Sequence, residues 1–393
     1  MLAQIASDKL FKKLDTIESG HLTITTPDGK TRVFAGQQEG ETADIELHDW
    51  RVIKNLVTKG DIGFAEDYRD GNWHTSDLTA LTTLSLNNRA ALNRFVRGGK
   101  LSRFKAMLSY MMRLNSIKGS KKNIHAHYDL GNDFYSLWLD PSMTYSSALY
   151  KSEGENLEQA QYNKYDRILD CLGRDGGKNS GSLLEVGCGW GGFAERAQEK
   201  GDFNLKGLTL SEEQHDYATK RLQRYGQNAN IALEDYRHQN SKYDHIVSIE
   251  MFEAVGEQYW RTYFDKISSL LEQKGKAVIQ TITIDEQDFE HYRRGGDFIR
   301  SFIFPGGMLP SESRFVEEAK LSGLNASKPF YFGQNYADTL AQWLDNFDAK
   351  RSEVQALGFD DGFIRLWRFY LAACVAGFRT GRTDVMQVEL AHA

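Results

Sequence analysis

The stretch from Ser182 to Ala197 reads SLLEVGCGWGGFAERA: an acid, Glu185, ends an apolar run, and Gly187, Gly189, Gly191 and Gly192 fall within the six residues that start at Gly187. Such a loop lets the backbone approach a ligand where a Cβ would stand in the way. Gly187, Gly189 and Gly192 also satisfy G-x-G-x-x-G, the fingerprint of dinucleotide folds. There the pyrophosphate lies over a helix N-terminus, and an acid ending the second strand holds the ribose. Here the second strand runs into GLTLSEEQ, with Thr209 and Leu210 where that acid belongs, and Glu185 would repel a pyrophosphate. A donor carrying an ammonium and a sulfonium suits the charge better, and S-adenosylmethionine is such a molecule. An oxidoreductase using the same loop is the competing reading, and a purely structural glycine turn is the third.

A second chemical candidate is Glu253 in IVSIEMFEAVGEQYW (Ile246–Trp260). A carboxylate following the fourth strand of an open α/β sheet stands in the switch-point region where ligands bind. The plainer alternative is an acid that opens a helix and faces its macrodipole.

The elements that must position these groups are legible as a pattern. The runs LLEVG, NLKGLTL, NIALE, YDHIVSI and GKAVIQTITI alternate with helical segments, which predicts an α/β fold: a parallel sheet with helices on both faces. NASKPFYFG and TDVMQVELA read as later strands. Between them FIRLWRFYLAACVAGF places Phe363, Trp367, Tyr370 and Cys374 at helical spacing. Residues 1–120 read as a smaller, mainly helical domain containing a hairpin, HLTITTPDGKTRVF, that turns at Asp28-Gly29. GSKKN (Gly119–Asn123) reads as a linker into a catalytic domain over 121–393. No internal repeat or low-complexity tract occurs.

At 393 residues, 40% hydrophobic and 26% charged, the composition is that of a globular protein. No apolar run approaches the ~20 residues that cross a bilayer, and MLAQIASDKLFKKLD lacks a signal-peptide core. Cys171, Cys188 and Cys374 are too scattered for a disulfide framework or a metal site. An intracellular, cytoplasmic enzyme without a metal is the expectation. The net charge of −6 hides an asymmetry: from Leu78 to Tyr128 there is no Asp or Glu, against ten Lys or Arg between Arg89 and Lys122. Within it, LSRFKAMLSYMMRLN sets Leu101, Phe104, Leu108 and Met111 on one helical stripe, with Arg103, Lys105 and Arg113 off it. That suits peripheral contact with anionic lipid, each basic residue adding about 1 kcal/mol; the alternative is a core face with solvated charges. Nucleic acid is not expected, because the rest of the chain is acidic and no nucleic-acid module occurs.

HYDLGNDFYSLWLDPSMTYSSALY (His127–Tyr150), the glycine loop, GLTLSEEQ, IVSIEMFEAVGEQYW and FIFPGGMLPS (Phe302–Ser311), in this order, resemble the cyclopropane-fatty-acyl-phospholipid synthase family, which includes mycolic acid cyclopropane synthases and methyltransferases. The resemblance spans roughly residues 120–393 and implies a Rossmann-like class I methyltransferase sheet. It implies a donor site made of Tyr145 and Ser146, of Glu185, Gly187, Cys188, Gly189, Trp190 and Gly191 in the loop, and of Thr209, Leu210 and Gln214. Glu234 and Asp235 resemble the pair that contacts adenine; without the family context they read as solvated loop acids.

The chemistry implied is attack by an alkene on the sulfonium methyl, in a dry pocket, with Tyr128, Phe134, Tyr135, Trp138, Tyr145 and Tyr150 as aromatic candidates and most of these as ordinary core. Ring closure then needs a base. Members of the family resemble one another in holding bicarbonate for this, which maps onto Glu253, the backbone at position 147, position 280, the Ile282 backbone and Tyr336. Two positions depart: Ser147 stands where the family has cysteine, and Gln280 where it has histidine. Gln280 can still donate to an anion but cannot become cationic. The expected product is a cyclopropane fatty acid; a methyl-branched unsaturated chain is the alternative, and a decayed, non-catalytic lipid binder a further one. Cys374 matches a C-terminal cysteine of the family and is read as structural, since nothing near it in the motif would activate a thiolate. The resemblance further implies a homodimer working on phospholipid at the inner face of the membrane.

Overall fold

The computed structural model describes residues 2–96, 99, 130–173 and 179–393. The basic stripe around Leu101–Met111, the GSKKN linker and Tyr128 lie outside these residues. The chain forms two compact units that interleave along the sequence. The first takes Met1–Met112, Glu290–Pro305 and Leu340–Arg382; the second takes Arg113–Phe289, Gly306–Thr339 and Thr383–Ala393. The linear division at about residue 120 is therefore too simple, and the reason is the apolar C-terminal helix, Asp361–Arg379. It packs on the helices Leu78–Asn87 and Asp61–Arg69, with Trp367, Phe369, Tyr370 and Leu371 all buried.

The first unit holds a four-stranded sheet in the order β2-β1-β3-β4, formed by β1 (Ser19–Thr25), β2 (Thr31–Ala35), β3 (Gln38–Leu47) and β4 (Trp73–His74). The β1–β2 hairpin turns where the sequence predicts, with Gly29 at φ +77° and the Thr26 hydroxyl donating to Asp28 at 2.6 Å. The parallel β1–β3 pair and the sheet as a whole were not legible in a reading that made this part mainly helical.

The second unit is the doubly wound sheet. Its strands are β5 (Ser180–Val186), β6 (Asp202–Thr209), β7 (Ala229–Leu233), β8 (Tyr243–Ile249), β9 (Leu271–Ile284), β10 (Leu324–Ala326), β11 (Phe330–Tyr331) and β12 (Thr383–His392). The order is β10-β12-β9-β8-β5-β6-β7, with β11 also paired to β12. β5 through β9 run parallel, and β12 lies antiparallel on β9. Near-continuous apolar runs such as Leu183–Leu184 and Ile246–Val247 are fully buried because helices cover both faces of a parallel sheet. The chain order reverses at β5, flanked by β6 on one side and β8 on the other, so a crevice opens beyond the carboxyl ends of these strands. No described helix is long and apolar enough to cross a membrane.

Candidate active site

The crevice is a cavity lined by Tyr145, Ser146, Glu185, the glycine loop, Thr209, Leu210 and Gln214, by Glu234 and Asp235 after β7, and by Glu250 and Met251 after β8. The loop is held by its own backbone: the N–H groups of Gly187 and Cys188 both donate to the Leu208 carbonyl, at 3.0 and 2.8 Å. Gly187 has φ +83°, and a Cβ there would meet Met251 at 2.8 Å. Gly189 has φ +51°, and a Cβ there would meet no protein atom. Its missing side chain thus leaves room for something other than the protein. Gly191, also expected in the site, caps the helix Gly192–Lys200 instead, and Gly192 takes the lining position.

Glu185 carries the charge beside this loop. It is 2% exposed, and among the described residues its Oε2 has no hydrogen-bond partner. Burial lifts its carboxyl well above the usual carboxylate range, opposed by the charges of Lys164 and Arg221. An orphaned acid oxygen facing a glycine cradle fits a cationic ligand that completes it. Thr209 donates to the Gln214 side chain at 2.8 Å, and Ser211 caps the helix Glu212–Leu222 beneath them. Trp190 is buried and anchored to Asn132 at 2.6 Å. Glu234 and Asp235 line the cavity but are already engaged, the first by Lys206 at 3.1 Å and the second by Arg237 at 2.6 Å. Burial also raises the Cys188 thiol far above its ordinary value, so this cysteine lines the site as a small apolar wall.

The residues expected to hold an anion gather around a group that the motifs did not single out. Glu250 follows β8 with φ +49°. Its Oε1 accepts from the Ser147 backbone N–H at 2.9 Å and from Gln280 Nε2 at 2.8 Å, and its Oε2 accepts from the Tyr336 hydroxyl at 2.6 Å. Gln280 is oriented by Gln387, which donates to its Oε1 at 2.9 Å and is itself held by Arg167 at 2.8 Å. Three of the groups expected around bicarbonate thus converge on a carboxylate of the chain itself. The remaining two pair with each other: the Ile282 N–H donates to Glu253 Oε1, which also accepts from Thr281 Oγ1 at 3.0 Å. Burial and the Glu250 charge push the Glu253 carboxyl up to about 8, so it is the neutral member of the pair. Burial also raises Glu250 above its usual value, while Tyr336, Lys164, Ser147 and Gln280 pull it back. Four of the five groups are thus taken up by acids of the chain itself, while Glu253 Oε2 has no hydrogen-bond partner among the described residues.

Lys164 is the second residue that the motifs did not reveal. It is fully buried on the helix Leu157–Gly173 and donates to Ser146 Oγ at 2.6 Å and Gln161 Oε1 at 2.7 Å. Burial pulls its ammonium down to about 7, against the acids Glu250, Asp140 and Glu185. The only sequence signal for either residue was local: a pair of acids three apart in EMFE, and a lone lysine in an otherwise helical run. Of the described aromatic candidates, Phe134, Tyr135 and Trp138 are wholly buried core, and Tyr145 lines the cavity. Cys374 belongs to the first unit, on the helix Asp361–Arg379, and is absent from the cavity lining. Burial, helped by Asp297, pushes its thiol up to about 12, away from the thiolate form at neutral pH. Among the described residues no cluster could hold a metal ion.

Comparison with known proteins meets this geometry at several points. Residues 115–388 match the family described as mycolic acid cyclopropane synthetase. The chain is 35% identical over 350 residues to the tuberculostearic acid methyltransferase UfaA1 of Mycobacterium tuberculosis, covering 86% of this chain and 81% of that protein. It is 32% identical over 353 residues to the cyclopropane-fatty-acyl-phospholipid synthase of Escherichia coli, covering 88% and 87%. The solved structure of the mycolic acid cyclopropane synthase CmaA1 complexed with SAH and CTAB superposes with a TM-score of 0.64 at 33% identity, covering 69% of this chain and 97% of that one. Coclaurine N-methyltransferase, at 16% identity and a TM-score of 0.62, shares the class I methyltransferase fold. With the sheet order, the glycine cradle and the matched residues in agreement, the chain belongs to the mycolic acid cyclopropane synthetase family.

Proposed function

We propose that this enzyme transfers a one-carbon unit from S-adenosylmethionine to the double bond of unsaturated acyl chains in phospholipids, forming cyclopropane fatty acids. The observation that carries the reading is the buried, incompletely bonded Glu185 beside a glycine cradle, in a chain of this family. When bound, S-adenosylmethionine supplies a methyl group on an electron-poor sulfur. Glu185 is suited to its cationic end, and Thr209 with Gln214 to its ribose. Glu234 and Asp235, held by Lys206 and Arg237, offer acceptor oxygens near the expected adenine position. The oxidoreductase reading is not favoured, because the residue ending β6 is a threonine bonded to Gln214 where a ribose-binding acid would stand.

A second reading, transfer without ring closure to give a methyl-branched chain, is favoured by Ser147 and Gln280 and by the likeness to the tuberculostearic acid methyltransferase. One experiment separates the two. Acyl chains from an expressing host are weighed by mass spectrometry before and after mild hydrogenation. A gained methylene that resists hydrogen marks the ring, hydrogen uptake to a saturated branched chain selects the second reading, and no gained carbon ends both.

The substrate site is proposed to meet its lipid at a membrane surface, supported by the acid-free stretch Leu78–Tyr128. Binding to anionic vesicles is expected to weaken steeply as salt rises, since the attraction is screened within about 10 Å at 0.1 M. Retention that ignores salt removes the basic residues from that role.

A further inference from the structure

We propose that Glu250 is the general base of this enzyme, a carboxylate built into the chain that takes the place of the bound bicarbonate implied by the family resemblance. The inference rests on the acyl-chain methylation proposed above and names the group that ends it.

Three observations point the same way. Glu250 lines the cavity together with the glycine loop, which sets it beside the proposed donor site. It adopts φ +49°, a region that a long side chain seldom occupies and that recurs at functional sites. Its oxygens are held by Ser147 N–H, Gln280 Nε2 and the Tyr336 hydroxyl. Donors at both oxygens favour the ionised form over the neutral acid, and the buried Lys164 cation adds to this. The same donors cannot also hold a free anion, and a carboxylate at this point repels one. Glu253, whose proton is retained at neutral pH, is not a competing base.

The step balances without a co-reactant. The alkene π pair forms a bond to the transferred methyl carbon as the methyl–sulfur bond breaks, and the pair of that broken bond stays on sulfur in S-adenosylhomocysteine. A Glu250 oxygen then takes one proton from the new methyl group, and the released C–H pair closes the second carbon–carbon bond of the ring. Taken from a neighbouring chain carbon, the same proton leaves a branched alkene. In either case the proton ends on Glu250 and passes to water when the product leaves.

The test uses the whole chain with Glu250→Gly and Glu250→Gln. Glycine is at ease at positive φ, so the first variant opens an anion-sized space lined by Ser147, Gln280 and Tyr336. The expected result has four parts. Wild-type turnover in carbonate-free buffer does not change when bicarbonate is added. Both variants keep binding S-adenosylhomocysteine and lose turnover by about 100-fold or more. Millimolar bicarbonate, formate or acetate restores Glu250→Gly by about 10-fold or more and leaves Glu250→Gln unaffected. Carbon-13-labelled bicarbonate shows line broadening with Glu250→Gly and none with wild type. The proposal is overturned by wild-type turnover that depends on bicarbonate, by a folded Glu250→Gln of normal rate, or by wild type that broadens the bicarbonate signal. It is overturned as well by a folded Glu250→Gly that no carboxylate rescues. The labelled-bicarbonate signal is read without turnover, so a chain that methylates no lipid would sink the function proposed above and still leave Glu250 decidable.

Discussion

Glu185→Gln is expected to weaken S-adenosylmethionine binding by about 100-fold while leaving the melting temperature of the free protein unchanged or higher. The two effects separate because Glu185 does little for the unliganded fold. It is 2% exposed with one oxygen unpartnered, and its raised pKa reports that the charged form is disfavoured there. A neutral amide of the same shape removes that burden. The cationic end of the donor, by contrast, loses its one buried counter-charge on this wall, and truncating one partner of a buried charge pair costs about 2–5 kcal/mol. The raised pKa carries a signature of its own: a bound cation favours the ionised acid, so proton release on binding is expected of wild type at a pH below the raised value. Titration calorimetry in buffers of different ionisation enthalpy should show a buffer-dependent heat for wild type and none for Glu185→Gln. Equal affinities for the two proteins would remove Glu185 from the donor site.

The second large effect is expected at Glu253 and has a definite sign with pH. Its folded pKa, pushed up to about 8 by burial and by the Glu250 charge, lies above the ordinary value of 4.5. A group raised in this way contributes stability that is complete below about pH 4.5 and is lost as pH rises through about 8, by at most about 1.4 kcal/mol per pH unit. Glu253→Gln cannot ionise and escapes the loss. Its melting temperature should match or fall slightly below wild type at pH 5 and exceed it at pH 9. Turnover should fall by about 10-fold or more with donor affinity intact. Glutamine still offers an oxygen to the Ile282 N–H, but it lacks the acid proton that Glu253 holds near Glu250 at neutral pH. Parallel melting curves for the two proteins across that pH range would show that Glu253 is not the neutral acid described.

Much of the second unit was legible in the sequence, because the period of the apolar residues is itself the physical cause of the sheet. Leu183, Leu184, Ile246 and Val247 must be buried on both faces, and a run of that kind between helices has few other solutions. The donor wall was legible for a related reason. An acid before a cluster of glycines states both the charge and the space that a ligand would meet. Glu250 escaped because carrying roles over by motif fills the positions that the motif assigns, and no motif assigns a carboxylate there. Only the converging Ser147, Gln280 and Tyr336 donors, brought from separate segments, reveal it. The first unit escaped for the same non-local reason: nothing within residues 1–112 announces that the helix Asp361–Arg379 completes their core.

The pairing of β12 with β9 also bears on how the enzyme is made. Chains emerge from the ribosome in order, and segments fold as they become available. Glu250 and Gln280 leave the exit tunnel roughly a hundred residues before Gln387, the residue that turns the Gln280 amide toward Glu250. Until β12 is threaded antiparallel along β9, the nascent polypeptide carries its acids without the brace that aims them, so reactivity toward lipid waits on the synthesis of β12.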